Sequence, residues 1–124
     1  VRPVIAPEDL IHAREVVKQI YVDEKIKDYV LDLIFTTRYP AQNGLSDLQP
    51  LLSFGASPRA TIYLIMAARA HAFLRGRGFV TPEDIKQIAP DILRHRIVIS
   101  YEAEAEEITS ADIVQRILDH TEVP

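Results

Sequence analysis

The chain has no cysteine, no long uninterrupted apolar run and no surplus of positive charge. Without thiols there can be neither disulfides nor thiolate metal sites, and nothing calls for an oxidising compartment, so a cytoplasmic setting is expected. The most apolar stretch, residues 61 to 74, is interrupted by Arg69 and His71. It therefore reads as a buried helix and not as a membrane span. The chain does not open on a charged-then-apolar leader. A formal net charge of -4 argues against bulk attraction to nucleic acid, which usually requires a basic domain. The four histidines, at 12, 71, 95 and 120, have no paired partner at ligand spacing, so a zinc site is not expected.

What is present describes one ordinary soluble domain. With 124 residues, 48% hydrophobic and 26% charged, the chain can bury a real core. Charge is unevenly placed: residues 59 to 96 hold seven Lys/Arg against three Asp/Glu, and residues 97 to 124 hold one against seven. A basic middle and an acidic tail suit a solvated surface, a small anionic ligand or an acidic protein face.

Helix-start chemistry divides the chain. Pro7 with Glu8 and Asp9 begins a first helix carrying Leu10, Ala13, Val17 and Ile20. Asp23 is an N-cap for a second, with Ile26, Tyr29, Val30, Leu33, Ile34 and Thr37 on one face, running to about Arg38. Pro40, Asn43, Gly44, Pro50 and Gly55 make residues 39 to 56 a long connection with room for one helical turn. Ser57 and Pro58 open a third helix through Leu74, apolar around most of its circumference and so the centre of the core. Gly76 and Gly78 stop it. Thr81 with Asp84 resembles a capping box for the next helix, whose stripe of Ile85, Ile88, Ile92 and Leu93 crosses Pro90 as one kinked helix or two short ones. Residues 97 to 101 look extended, with Phe79-Val80 as the expected partner in a minimal ribbon. Residues 102 to 107 read as an acidic linker, and Thr109 with Asp112 caps a last helix carrying Ile113, Val114, Ile117 and Leu118. The expected fold is mainly α, a compact bundle of five or six helices with at most a two-stranded β-ribbon.

The most informative stretch is Gly55-Ala56-Ser57-Pro58-Arg59-Ala60. Arg59 would sit in a first helical turn, where unpaired N–H groups and the dipole disfavour a cation by about 0.3 to 1 kcal/mol. A phosphate beside it would reverse the sign, accepting hydrogen bonds from the helix terminus and the guanidinium together. Against this stands an exposed arginine whose stem simply packs on the loop.

That stretch resembles the sensor-2 signature of MoxR-type AAA+ ATPases. The resemblance extends upstream to Thr37-Arg38 and downstream to Leu74-Arg75-Gly76-Arg77, Val80-Thr81-Pro82-Glu83-Asp84-Ile85 and His95-Arg96-Ile97, covering the chain from about Val4 onward. It implies a single AAA+ lid domain over residues 1–124, with residues 1–6 as the remnant of a linker. Such a lid closes over ATP held by a preceding α/β domain, with Arg59 as sensor 2 and Ser57 and Pro58 helping to position it. The resemblance further implies ATP and magnesium as cofactors of the parent protein, a homo-oligomeric ring, chaperone-like remodelling, and von Willebrand factor A domain proteins as clients. No G-x-x-x-x-G-K-[ST] loop occurs, nor a strand ending in a metal-binding acidic pair, so the P-loop domain is missing and the fragment alone should neither bind nucleotide nor catalyse. Arg75-Gly76-Arg77-Gly78 lacks the lysine of a phosphate cradle and follows a helix, so it reads as a helix stop. His71 is expected within or beside the core helix, and His95 in a hydrogen bond with the ribbon or its neighbours. Arg38, Arg75, Arg77, Arg94 and Arg96 fit an intersubunit or large-domain contact and a solvated surface equally well. Two rivals stand outside the ATPase reading: a freestanding helical interaction module that docks an acidic partner, and a small nucleic-acid-binding bundle, which the overall acidity disfavours.

Overall fold

The helix boundaries follow the capping side chains. In the computed structural model, which describes residues 1–124, helix α1 (Pro7–Lys18) begins at a proline, and the Asp9 carboxylate accepts from the Ala6 N–H at 2.8 Å. Helix α2 (Glu24–Arg38) begins where Asp23 accepts from the Lys25 N–H at 2.9 Å. Helix α3 (Ala60–Leu74) starts slightly later than Ser57-Pro58 suggests, because residues 57 to 59 form a turn that leads into it. Helix α4 (Pro82–Leu93) has the Thr81–Asp84 capping box and runs as one helix through Pro90. Helix α6 (Ser110–His120) has the matching Thr109–Asp112 box. Between α4 and α6 lies a short α5 (Tyr101–Ala105).

That short helix corrects the expectation of an acidic linker. Ser100 accepts from the Ala103 N–H at 3.2 Å, and Ala103 is fully buried, while the surrounding glutamates face solvent. The turn that ends α5 places Glu107 at a φ of 59°, a left-handed position where a side chain is strained.

The α2–α3 connection is also more ordered than expected. It contains two 3-10 turns, Pro40–Asn43 and Ser46–Leu51, and then strand β1 (Leu52–Phe54). Strand β1 pairs antiparallel with β2 (Val98–Ile99), in the register Leu52 to Ile99 and Phe54 to Val98. The extended segment after α4 therefore finds β1 and not Phe79-Val80. The latter segment flanks Tyr21 instead: the Tyr21 N–H donates to the Gly78 carbonyl, and the Val80 N–H to the Tyr21 carbonyl, both at 2.9 Å. The reason is the reversal at Gly76. Its φ of 74° lets the Arg77 N–H return to the Ala72 carbonyl at 3.0 Å and the Gly76 N–H to Phe73 at 2.9 Å, which sends the chain back towards the α1–α2 junction.

The core forms one cluster. The inward faces expected for α2 and α6 are all buried. Helix α3 is central, but not because it is buried all round. Ala60, Leu64, Ala68 and Ala72, four residues apart, form a fully buried stripe whose three alanines admit close approach of the neighbouring helices, α4, α2 and α1. Ile62, Met66 and Leu74 on its other faces stay exposed. Helix α1 likewise buries none of its residues, and Leu10 and Val17 line an open apolar groove with Met66 and Ala70. No helix is long and apolar enough to cross a membrane.

Candidate functional site

The turn before α3 is held by contacts that account for its residue types one by one. Gly55 lies against the end of α2, where a Cβ would fall 2.3 Å from the Thr37 carbonyl oxygen, so only glycine fits without displacement. Ala56 is fully buried. Its N–H donates to Thr37 Oγ1 at 3.0 Å, and its carbonyl accepts from Arg38 Nη1 at 3.2 Å. The Thr37 hydroxyl in turn donates to the Ile34 carbonyl at 2.6 Å. Thr37-Arg38 and Gly55-Ala56, which look like separate motifs in the sequence, are two sides of one clamp. Ser57 Oγ then accepts from the Arg59 N–H at 3.3 Å, and Ala60 enters the buried stripe of α3.

This clamp presents Ser57, Pro58 and Arg59 at the surface. The Arg59 side chain makes no hydrogen bond or salt bridge with any other residue of the chain, and neither the turn nor α3 contains an Asp or Glu. An exposed guanidinium with all its donors free is suited to a planar oxyanion such as phosphate or carboxylate. The helix terminus contributes less than expected. The N–H groups of Arg59, Ala60, Thr61 and Ile62 already donate to Ser57 Oγ and to the carbonyls of Ser57, Pro58 and Arg59. Any anion held here is held by side chains.

The other arginines divide clearly. Arg38 tethers the clamp and lies 5.9 Å from the centre of the Tyr39 ring. Arg94 pairs with Asp91 at 3.0 Å and donates to His95 Nε2 at 3.2 Å, so of the two kinds of partner expected for His95 it is a neighbouring residue that bonds it. Arg96 stacks on Tyr63, its guanidinium carbon 4.4 Å from the ring centre. Arg75 makes no side-chain bond and is exposed.

Arg77 is wholly committed to the fold. It grips Asp84 with two hydrogen bonds, at 2.6 and 2.7 Å. Asp84 has no exposed surface and also accepts from the Thr81 N–H at 2.7 Å and the Thr81 hydroxyl at 3.1 Å, with His71 Nδ1 2.6 Å away. Burial pushes the Asp84 carboxyl upward, but the Arg77, Thr81 and His71 hydrogen bonds outweigh it and hold the group well below the usual carboxylate range. The capping-box position of Asp84 was visible in the sequence. Its partnership with Arg77 and His71 was not, because it depends on the reversal at Gly76.

The AAA lid domain model matches residues 46–117, which include the Gly55-Ala56 side of the clamp, all of α3 and α4, and most of α6. The chain belongs to the AAA lid family, of the MoxR type. Chaperone MoxR1 of Mycobacterium tuberculosis is 38% identical to this lid over 99% of its length, and YeaC of Bacillus subtilis is 37% identical over 98%. A solved chain from Cytophaga hutchinsonii, assigned as an ATPase, superposes on the entire lid with a TM-score of 0.96 at 39% identity. The lid spans 33% and 35% of the length of the two relatives and 38% of the solved chain. Its residues fit one part of a nucleotide: Arg59 offers donors to phosphate oxygens, whereas no group of His, Asp and Glu side chains is placed to hold a metal ion.

Proposed function

We propose that this domain is the moving lid of a cytoplasmic MoxR-type ATPase, and that Arg59 is its sensor-2 arginine, closing on the phosphates of ATP bound by a P-loop domain. The observation that carries the reading is an unpartnered guanidinium held at the surface by the Gly55–Thr37 clamp. Magnesium-ATP supplies the phosphoanhydride to be cleaved. Arg59 contributes charge stabilisation, and Ser57 and Pro58 fix the backbone from which it projects. When the anionic partner of Arg59 changes on hydrolysis, the preferred lid angle changes with it, and a rigid bundle transmits that change to neighbours. Assembly into a ring of identical subunits, remodelling activity and von Willebrand factor A domain clients follow from the family resemblance as further parts of this proposal.

The test uses the full-length parent protein. Arg59→Ala should lower ATP turnover about a hundredfold or more while nucleotide still binds, the scale seen when a charge-stabilising group is removed from phosphoryl transfer. Turnover equal to wild type would reject the sensor role. The 124-residue lid alone should show no hydrolysis.

A further inference from the structure

A second cation, Arg96, stacks on a residue of α3 one helical turn after Arg59, and the proposed function does not use it. Tyr63 follows Arg59 by four residues, so the two share one side of the helix, and a helical side chain covers the turn before its own Cα. The Tyr63 ring therefore lies towards Arg59. Arg96 comes from the segment between α4 and β2 and stacks on that ring at 4.4 Å. Stacking occupies the face of the guanidinium and leaves its in-plane N–H edge free. Like Arg59, Arg96 has no salt bridge and no side-chain hydrogen bond, and α3 provides no acid to neutralise either. Nearby Arg94, by contrast, is neutralised by Asp91. A ligand carrying several negative charges can use both guanidinium groups, because an oxyanion between two cations offsets their mutual repulsion.

We propose that Arg59 and Arg96 form a two-arginine clamp for the phosphate chain of the nucleotide, with Tyr63 as the positioning residue that sets the plane of Arg96. This rests on the lid reading above and adds a second phosphate-binding side chain to it. The clamp prefers the more highly charged ligand, so it discriminates ATP from ADP.

The experiment measures dissociation constants for Mg-ATP and Mg-ADP, together with turnover, in the full-length parent protein and its Arg96→Ala, Arg96→Lys, Tyr63→Phe, Tyr63→Leu and Arg59→Ala variants. Arg96→Ala should weaken ATP binding about tenfold and ADP binding much less, as expected for one lost charge-assisted contact. Arg96→Lys should recover part of the loss, because charge returns without the planar fork. Tyr63→Phe keeps the ring and should stay within about twofold of wild type, whereas Tyr63→Leu should fall between wild type and Arg96→Ala. Equal weakening of ATP and ADP accompanied by a lower Tm would show that Arg96 and Tyr63 only staple the α4–β2 segment to α3, and would overturn the clamp. Unchanged affinities in Arg96→Ala would overturn it as well. If Arg59→Ala still lowers turnover in either case, the sensor reading survives without its second arginine. If Arg59→Ala is silent while Arg96→Ala loses ATP preference, the sensor reading fails, and Arg96 alone holds the phosphate.

Discussion

The two ends of α3 use the same residue type in opposite ways. At the C-terminal end, Arg77 spends its donors on Asp84, which is buried and also bonded by Thr81 and His71. At the N-terminal end, Arg59 projects from a clamp that involves only backbone, a threonine hydroxyl and Arg38, and its own donors stay free. One end is built so that a charge holds the fold, and the other so that the fold holds a charge. In a lid this division is useful, because a side chain needed by a ligand cannot also be needed for stability without coupling the two.

The comparison breaks most visibly at Asp84. Asp84→Ala removes the shared acceptor of Arg77, His71 and Thr81 and with it one half of the α4 capping box, so unfolding in urea should show a loss of about 3 kcal/mol. Arg59→Ala should leave the urea midpoint unchanged, and a large shift there would show that the two ends are not so different. Acid probes the same contrast. Because the Asp84 carboxyl is depressed in the folded protein, its contribution is fully present above the unfolded value of about 3.9 and is lost as pH falls below it towards the lower folded value. Below about pH 4 the urea midpoint of wild type should therefore fall more steeply with acid than that of Asp84→Asn, and parallel slopes would deny Asp84 this role.

Smaller changes sharpen the picture of the N-terminal end. Gly55→Ala drives a methyl group onto the Thr37 carbonyl and should cost about 2 kcal/mol, and it should also lower turnover in the parent protein by misplacing Arg59. Thr37→Val keeps the shape but leaves the buried Ala56 N–H without an acceptor, for about 1 to 2 kcal/mol. If Thr37→Val matched wild type in stability, the clamp would owe its rigidity to packing alone. The smallest effect has the opposite sign. Glu107→Gly relieves the left-handed backbone after α5 and should stabilise the lid by roughly 0.5 to 1 kcal/mol in the same urea titration.

Much of this architecture can be read along the chain because it is set locally. Asp23, Thr81 and Thr109 cap helices through side chains that reach only two or three residues, and Gly76 stops α3 through hydrogen bonds within one turn. The buried faces of α2 and α6 follow from helical periodicity. The signature at residues 55 to 60 is legible by family resemblance, whereas the steric and hydrogen-bonding demands that Gly55 and Ala56 answer come from Thr37 and Arg38 at the end of α2. Arg59 stands out in that signature because no neighbour in sequence explains it.

What the linear order could not supply is pairing across distance. Strand β2 joins Leu52–Phe54 because the 3-10 turns bring that segment beside it, while Phe79-Val80 is drawn to Tyr21. Arg77 meets Asp84 and His71, and Arg96 meets Tyr63, through reversals between helices whose angles depend on which faces pack. Local chemistry thus determined where most of the helices begin and end. The packed bundle alone decided which charges are consumed internally and which remain free, because neutralising a charge requires a partner brought within a few ångströms by the whole fold.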